Sequence, residues 1–162
     1  MTPLGANHDI SSFDCGAPEL TRWLGQAHTA QERDTARVFV VADEHHRVLA
    51  YSALVVGSTS PRSLPSRARG GLSADIPMVL LGRLAVDQAH QRSGLGDLML
   101  IDAVRRAIEV RERAGTRLLA AHPRDELARR WYEHKGLAST TDGRLCYLRL
   151  RDAAPPREPD TR

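Results

Sequence analysis

Apolar and polar positions recur with two different periods along the chain, and the changes of period mark the elements. Leu20, Trp23, Leu24 and Ala27 fall at helical spacing and Pro18 suits a helix start, which predicts a first helix from Pro18 to about Asp34. Ala36 to Ala42 (ARVFVVA) and Val48 to Val56 (VLAYSALVV) read as strands, joined as a hairpin by the short polar stretch from Asp43 to Arg47. Gly57 to Pro77 contains Pro61, Pro65, Gly70, Gly71 and Pro77, and predicts a long loop that breaks regular structure, of a kind that is often functional. Met78 to Val86 (MVLLGRLAV) is almost continuously apolar, as a central strand buried on both faces would be. A polar turn from Asp87 to Ser93 leads into a helix from Gly94 to Ala114. Leu98, Ile101, Val104 and Ile108 line its apolar face and Gly115 closes it. Arg117 to Ala121 predicts a strand, Asp125 to Lys135 a short helix stopped by Gly136, and Leu145 to Leu150 a last strand. Residues 152–162 (DAAPPREPDTR) predict a disordered tail.

Hairpin strands followed by a strand–helix–strand unit predict one α/β domain over residues 1–151, a mixed central sheet with helices on both faces. A chain of 162 residues fits one domain and can bury a core without a disulfide or metal. An apolar content of 41% excludes a wholly disordered chain, and 4% aromatics argues against a base-stacking platform for single strands. No stretch approaches the roughly 18 apolar residues of a membrane span. Met1 to Asp14 lacks a basic region followed by an apolar run, so no secretion signal is expected. Cys15 and Cys146 lie far apart and are read as reduced thiols of a cytoplasmic protein. No histidine, cysteine or carboxylate cluster has zinc spacing, so no metal is expected.

The net charge is only +3, but it is unevenly placed. Between His45 and Ala74 stand Arg47, Arg62, Arg67 and Arg69 with no acid, which suits an anionic partner as well as a solvated loop. The sharper signal is Gln91-Arg92-Ser93-Gly94-Leu95-Gly96, between the buried strand and the long helix. The first turn of a helix offers amides without internal partners and a partial positive charge. Glycines at 94 and 96 let a diphosphate approach the backbone, and Arg92 adds a charge-assisted contact. There is no Gly-Lys-Ser/Thr, which excludes a P-loop, and Met99 breaks the Gly-x-Gly-x-x-Gly dinucleotide pattern.

Leu84 to Leu100, with its Gln/Arg-x-x-Gly-x-Gly/Ala core, resembles the acetyl-CoA signature of GNAT acetyltransferases, and the resemblance extends over about Phe13 to Leu150. Phe13-Asp-Cys-Gly, Ala36-Arg-Val-Phe-Val-Val, Leu81-Gly-Arg-Leu-Ala-Val-Asp and Trp131-Tyr-Glu-His-Lys-Gly together resemble GNAT toxins of toxin–antitoxin pairs. The resemblance implies that the backbone of Leu84, Ala85 and Val86 takes the pantetheine arm as if it were a further strand. It implies that the segment Gln91, Arg92, Ser93, Gly94, Leu95 and Gly96 forms the cofactor loop, with Arg92 to Gly96 on the diphosphate. Tyr132 would protonate the departing thiolate. It further implies a homodimer acting on aminoacyl-tRNA and neutralised by a ribbon–helix–helix antitoxin. The sequence departs from the toxin pattern at Leu137, where an aromatic usually follows the glycine, and matches poorly from there to Arg144.

Tyrosine ordinarily titrates near pH 10, so Tyr132 is either a proton donor at neutral pH or a ring packed at a helix end. Arg83 interrupts an apolar strand, and must pair with a carboxylate, reach solvent or contact an anionic ligand. That strand has no central carboxylate to act as a base, and Asp87 at its end reads as structural. A lysine amine, at about 10.4, needs strong help to deprotonate, whereas an α-amino group at about 7.7–8.0 does not. An esterified amino acid is lower still, so a charged tRNA offers an easily deprotonated amine on an anion. Arg83, Arg33, Arg37, Arg62, Arg67 and Arg69 are candidate RNA contacts, each otherwise a solvated charge. His122 is a candidate base or a structural histidine, His90 packs near the loop, and His45 and His46 sit on a turn. The rival readings are a GNAT enzyme acting on a small or protein amine, and a non-catalytic acetyl-CoA-binding partner in a repressor complex.

Overall fold

The computed structural model describes residues Met1–Ala153. Among these residues seven strands are ordered β1-β2-β3-β4-β5-β7-β6, with five α-helices: β1 (Thr2–Pro3), α1 (Pro18–Leu24), α2 (Ala27–Glu32), β2 (Arg37–Ala42), β3 (Val48–Thr59), α3 (Ser66–Arg69), β4 (Ile76–Val86), α4 (Leu95–Ala114), β5 (Leu118–Ala121), α5 (Glu126–His134), β6 (Ala138–Ser139) and β7 (Cys146–Arg149). The expected α/β class with a mixed sheet is what forms. The chain divides into two compact units. One joins Met1–Gly57 to Val79–Ala103; the other joins Ser58–Met78 to the chain from Val104 onward.

In the first unit, β2 and β3 pair antiparallel from Arg37↔Leu54 to Ala42↔Val48, with a register shift between Val41 and Ala42. β1 adds to β2 through Thr2↔Val40 and Pro3↔Phe39. Two residues carry no periodicity, so β1 gave no sequence signal. The Gln31 side chain staples this edge, donating to Leu4 O at 3.0 Å and accepting from Val38 N at 3.1 Å. Alternate residues of β2 and β3, among them Val38, Val40, Tyr51 and Ala53, enter a core with Leu4, Phe13, Leu24, Ala27 and Ala85. Burying each large side chain contributes about 1.5–3 kcal/mol.

The expected first helix is two. Glycine is a weak helix former, and at Gly25 the chain tightens: Gly25 N donates to Arg22 O and Gln26 N to Trp23 O before α2 restarts at Ala27. Within α4 the expected apolar face is not the buried one. Leu98 and Ile101 are 51% and 58% exposed, while Met99, Leu100, Ala103 and Ala107 are buried. The helix carries two apolar stripes, and the one rich in alanine is the one that packs.

In the second unit, β5 is buried throughout and pairs antiparallel with β7, which pairs with β6. The expected irregular loop from Gly57 to Pro77 contains the end of β3, a 3-10 turn (Pro61–Ser63), α3 and the start of β4. Pro77 is tolerated there because the strand uses its carbonyl, which accepts from Arg117 N at 2.9 Å, and never its missing N–H. Two guanidinium groups satisfy carbonyls of α3: Arg117 Nε donates to Ala68 O at 2.6 Å and Arg149 Nη1 to Arg67 O at 3.0 Å. Arg149 also pairs with Asp152, in a 3-10 turn over Leu150–Asp152. Asp152 is therefore ordered, and the rest of the expected tail, from 154, lies outside the described residues.

Gly70 ends α3 in the left-handed region (φ +59), where a Cβ would collide with the Arg117 guanidinium. Gly70→Ala is therefore expected to displace Arg117 from Ala68 O and to cost about 1–3 kcal/mol in urea denaturation. A change under 0.5 kcal/mol would show that this clamp does not hold α3.

Candidate functional site

The first unit brings the end of β4, the Phe13 to Gly16 segment and the opening of α4 together. Asp87, immediately after β4, accepts from Asp14 N and Ala89 N, both at 3.0 Å. Its own amide donates to Leu49 O at 2.8 Å, and Gln88 N donates to Asp14 O at 2.8 Å. Burial alone would raise the Asp87 carboxyl, but these amides and the neighbouring His90 hold it below the ordinary carboxylate range. Its structural reading is what the geometry supports. His90 Nδ1 lies 3.5 Å from Asp87 Oδ1, at the margin of a hydrogen bond, so His90 packs beside the loop as expected.

Gln91 Nε2 donates to Cys15 O at 2.9 Å and to Val86 O at 3.0 Å. The Gln91 side chain thus faces inward and fixes the loop, while the Ser93 hydroxyl bonds to His90 O. Arg92 (φ +60) and Gly94 (φ +88) both take left-handed conformations, and α4 begins at Leu95. Alternating backbone hands of this kind turn successive amides toward one side, an arrangement that holds anions. A Cβ at Gly94 would meet nothing within 4 Å, so open space lies over the turn. Arg92 is exposed and Leu95 and Gly96 half-buried at the helix start. Leu84 and Val86 are half-buried and Ala85 is in the core. The residues fit a diphosphate.

Arg83, on β4 of the same unit, forms no ion pair among the described residues. Its guanidinium carbon lies 5.1 Å from the Trp23 ring centroid, and Nη1 donates to Gly82 O at 2.8 Å. Arg33 is exposed at the end of α2. Arg37, 59% exposed, pairs with Asp34 at 2.6 Å and donates to Gln31 O, so its charge is partly committed. Arg62, Arg67 and Arg69 belong to the second unit. Arg62 and Arg67 are exposed and Arg69 donates to Ser66 Oγ at 3.0 Å. Sequence reasoning missed Arg117 and Arg149, which hold this basic segment from beneath. No local pattern could have marked them, because their partners lie 49 and 82 residues away.

Tyr132, in the second unit, sits on α5, which Asp125 caps by accepting from Ala128 N at 2.7 Å. Its ring packs edge-on to Trp131 at 5.0 Å and is 8% exposed. Burial, and secondarily Cys146, push its hydroxyl up to about 12. Such a group can donate a proton at neutral pH but cannot act as a base. His122 is exposed, and its Nδ1 lies 2.9 Å from Arg144 O, which only accepts, so Nδ1 carries the proton of the neutral ring. Leu137 is buried, and the poorly matching stretch beyond it forms β6 and a turn in which Thr140 Oγ1 donates to Asp142 at 2.6 Å. Cys15 and Cys146 are free thiols. Among the described residues no group of histidine, cysteine and carboxylate side chains could hold a metal ion, and no helix is long and apolar enough to cross a membrane.

The fold is that of GNAT acetyltransferase toxins. It matches AtaT complexed with acetyl-methionyl-tRNAfMet at a TM-score of 0.84, with 21% identity and 91% of each chain covered. It also matches a mutant AtaT toxin bound to the C-terminus of the antitoxin AtaR and acetyl-CoA, at a TM-score of 0.77 and 22% identity, covering 92% of this chain and 91% of that one. No family model matches the chain. In sequence it is 33% identical over 147 residues to the tRNA-acetylating toxin of Mycobacterium tuberculosis, spanning 90% of this chain and 88% of that protein. The chain belongs to the tRNA-acetylating toxin family.

Asp87→Ala is expected to cost about 1–2 kcal/mol at pH 7, since two amides lose their acceptor. Because the folded carboxyl titrates below its ordinary value of 3.8, the ionic part of this stabilisation is complete above about pH 4–5 and is lost as pH falls through the folded value. Urea denaturation of both proteins from pH 7 to pH 3 should show their stability difference narrowing only at the acid end. A difference that grows with acid would contradict the assignment.

Proposed function

We propose that the chain transfers acetyl from acetyl-CoA to the amino group of aminoacyl-tRNA, and so blocks translation as the toxin of a toxin–antitoxin pair. One observation carries the reading: between β4 and α4 the chain turns through left-handed Arg92 and Gly94, with open space over Gly94, in a chain of the tRNA-acetylating toxin family. The backbone of Leu84 to Val86 takes the pantetheine arm, leaving Val86 O to Gln91. Arg92 to Gly96 hold the diphosphate and Gln91 fixes their turn. Acetyl-CoA supplies the activated acetyl thioester.

The acceptor nitrogen attacks the thioester carbonyl, the new C–N bond forms and the C–S bond breaks. The Tyr132 hydroxyl gives its proton to the departing thiolate, and the ammonium proton of the product passes to water. Acetylation removes the nucleophile that peptide bond formation needs. Arg83, Arg33, Arg37, Arg62, Arg67 and Arg69 supply phosphate contacts. The protein works in the cytoplasm as a homodimer, neutralised by a ribbon–helix–helix antitoxin. In support, an antitoxin segment and acetyl-CoA are bound together in the mutant AtaT structure.

Label from acetyl-CoA should appear on charged tRNA and not on uncharged tRNA. Tyr132→Phe should lower kcat about 10²–10⁴-fold with acetyl-CoA affinity kept. Since Tyr132 stays protonated to about 12, the pH–rate profile from pH 6 to 9 should rise with amine deprotonation and show no alkaline fall. Label on small amines alone, or a fall near pH 8, would overturn the acceptor or the acid respectively.

A further inference from the structure

Three side chains of the first unit form a file from the core to the surface. Tyr51 is fully buried and its hydroxyl donates to Leu20 O at 2.7 Å, which fixes the ring. Trp23 stacks on it with centroids 5.9 Å apart and planes at 16°. The Arg83 guanidinium carbon lies 5.1 Å from the Trp23 ring centroid, and both Trp23 and Arg83 are half-buried. Arg83 donates from Nη1 to Gly82 O.

An ion pair with a carboxylate would neutralise a half-buried arginine. An aromatic face does something different: it attracts the cation and restrains its plane without cancelling its charge or occupying its N–H groups. The guanidinium is thus held in place, still charged, with donors left over. It stands one residue before Leu84 to Val86, the stretch assigned to the pantetheine arm. Net charge is brought to that place by no other residue of β4.

We propose that Trp23 is a positioning residue for Arg83. It sets the guanidinium so that Arg83 grips a phosphate of the RNA acceptor beside the transfer site, and the pair thereby favours an amine carried on nucleic acid over a small amine. The inference rests on the transfer reaction proposed above.

The test compares two acceptors, a charged tRNA and the methyl ester of the same amino acid, which shares the low-pKa amine but has no phosphate. The readout is the ratio of their kcat/KM values. Arg83→Ala should lower this ratio about 10- to 100-fold, mainly through KM for the tRNA. It should also reduce the slope of log KM against log salt by about one. Trp23→Leu keeps apolar bulk without a ring face and should lower the ratio in the same direction, whereas Trp23→Phe should restore most of it. The double variant should match Arg83→Ala alone, because the second change removes nothing further. Where Trp23→Leu does not fold, Trp23→Met takes its place. Losses that multiply in the double variant, a fall in rate equal for both acceptors, or an unchanged ratio would each overturn the inference while leaving the transfer reaction intact. A wild-type protein that labels the methyl ester and not the tRNA would instead remove the reading on which it rests.

Discussion

The Asp87 carboxylate accepts from Asp14 N, 73 residues earlier in the chain, and from Ala89 N within its own turn. The local geometry of the loop between β4 and α4 depends on that double acceptance. A chain leaving β4 must reverse into α4 through two left-handed residues, and Arg92 is not a glycine, so it enters that region at a conformational cost. Left alone, the turn would relax into many conformers, and any ligand would have to order it on binding. Asp87 and the Gln91 amide tie the turn to β4 and to the Phe13 to Gly16 segment beforehand. The turn through Arg92 and Gly94 is therefore held by side-chain hydrogen bonds of Asp87 and Gln91.

Arginine does two different jobs in this protein, and the second unit separates them. Arg117 and Arg149 are consumed by carbonyls of α3, where a planar fork of donors satisfies backbone groups that a four-residue helix leaves open. Arg62 and Arg67 on the same segment stay exposed. A short helix could not hold a basic surface by its own hydrogen bonds, since helices of this length are marginal. Two arginines anchor it from the inside so that others can be presented outside. Gly70 fits both requirements at once, through its left-handed φ and through the room it leaves for Arg117.

The elements legible in the sequence were those with local causes. The hairpin of β2 and β3, the apolar β4 and the helix after Gly94 follow from periodicity and glycine placement. What could not be read depends on partners distant in the chain. The pairing of Thr2 and Pro3 with β2, the packing stripe of α4 and the ordering of the segment after Thr59 are all decided by tertiary contacts. Gln91 is the instructive residue: the sequence placed it in the motif, but only the structure shows its amide bonded to Cys15 O and Val86 O. For Arg83 the sequence left three alternatives, and an aromatic partner was not among them.

The proton inventory links the acid to the choice of acceptor. Burial holds Tyr132 protonated to about 12, so in the proposed reaction it can only give a proton to the thiolate and can take none from the amine. β4 carries no carboxylate between Ile76 and Val86, and Asp87 has its oxygens occupied by two backbone amides. In the proposed reaction, an acceptor amine that is already largely neutral needs no base from β4. A lysine side chain, at about 10.4, is charged in all but about one molecule in a thousand near pH 7.4. An α-amine whose carboxylate is esterified is predominantly neutral there. The amino acid on a tRNA meets this condition through its ester bond, and it arrives attached to the polyanion that Arg83 is proposed to contact.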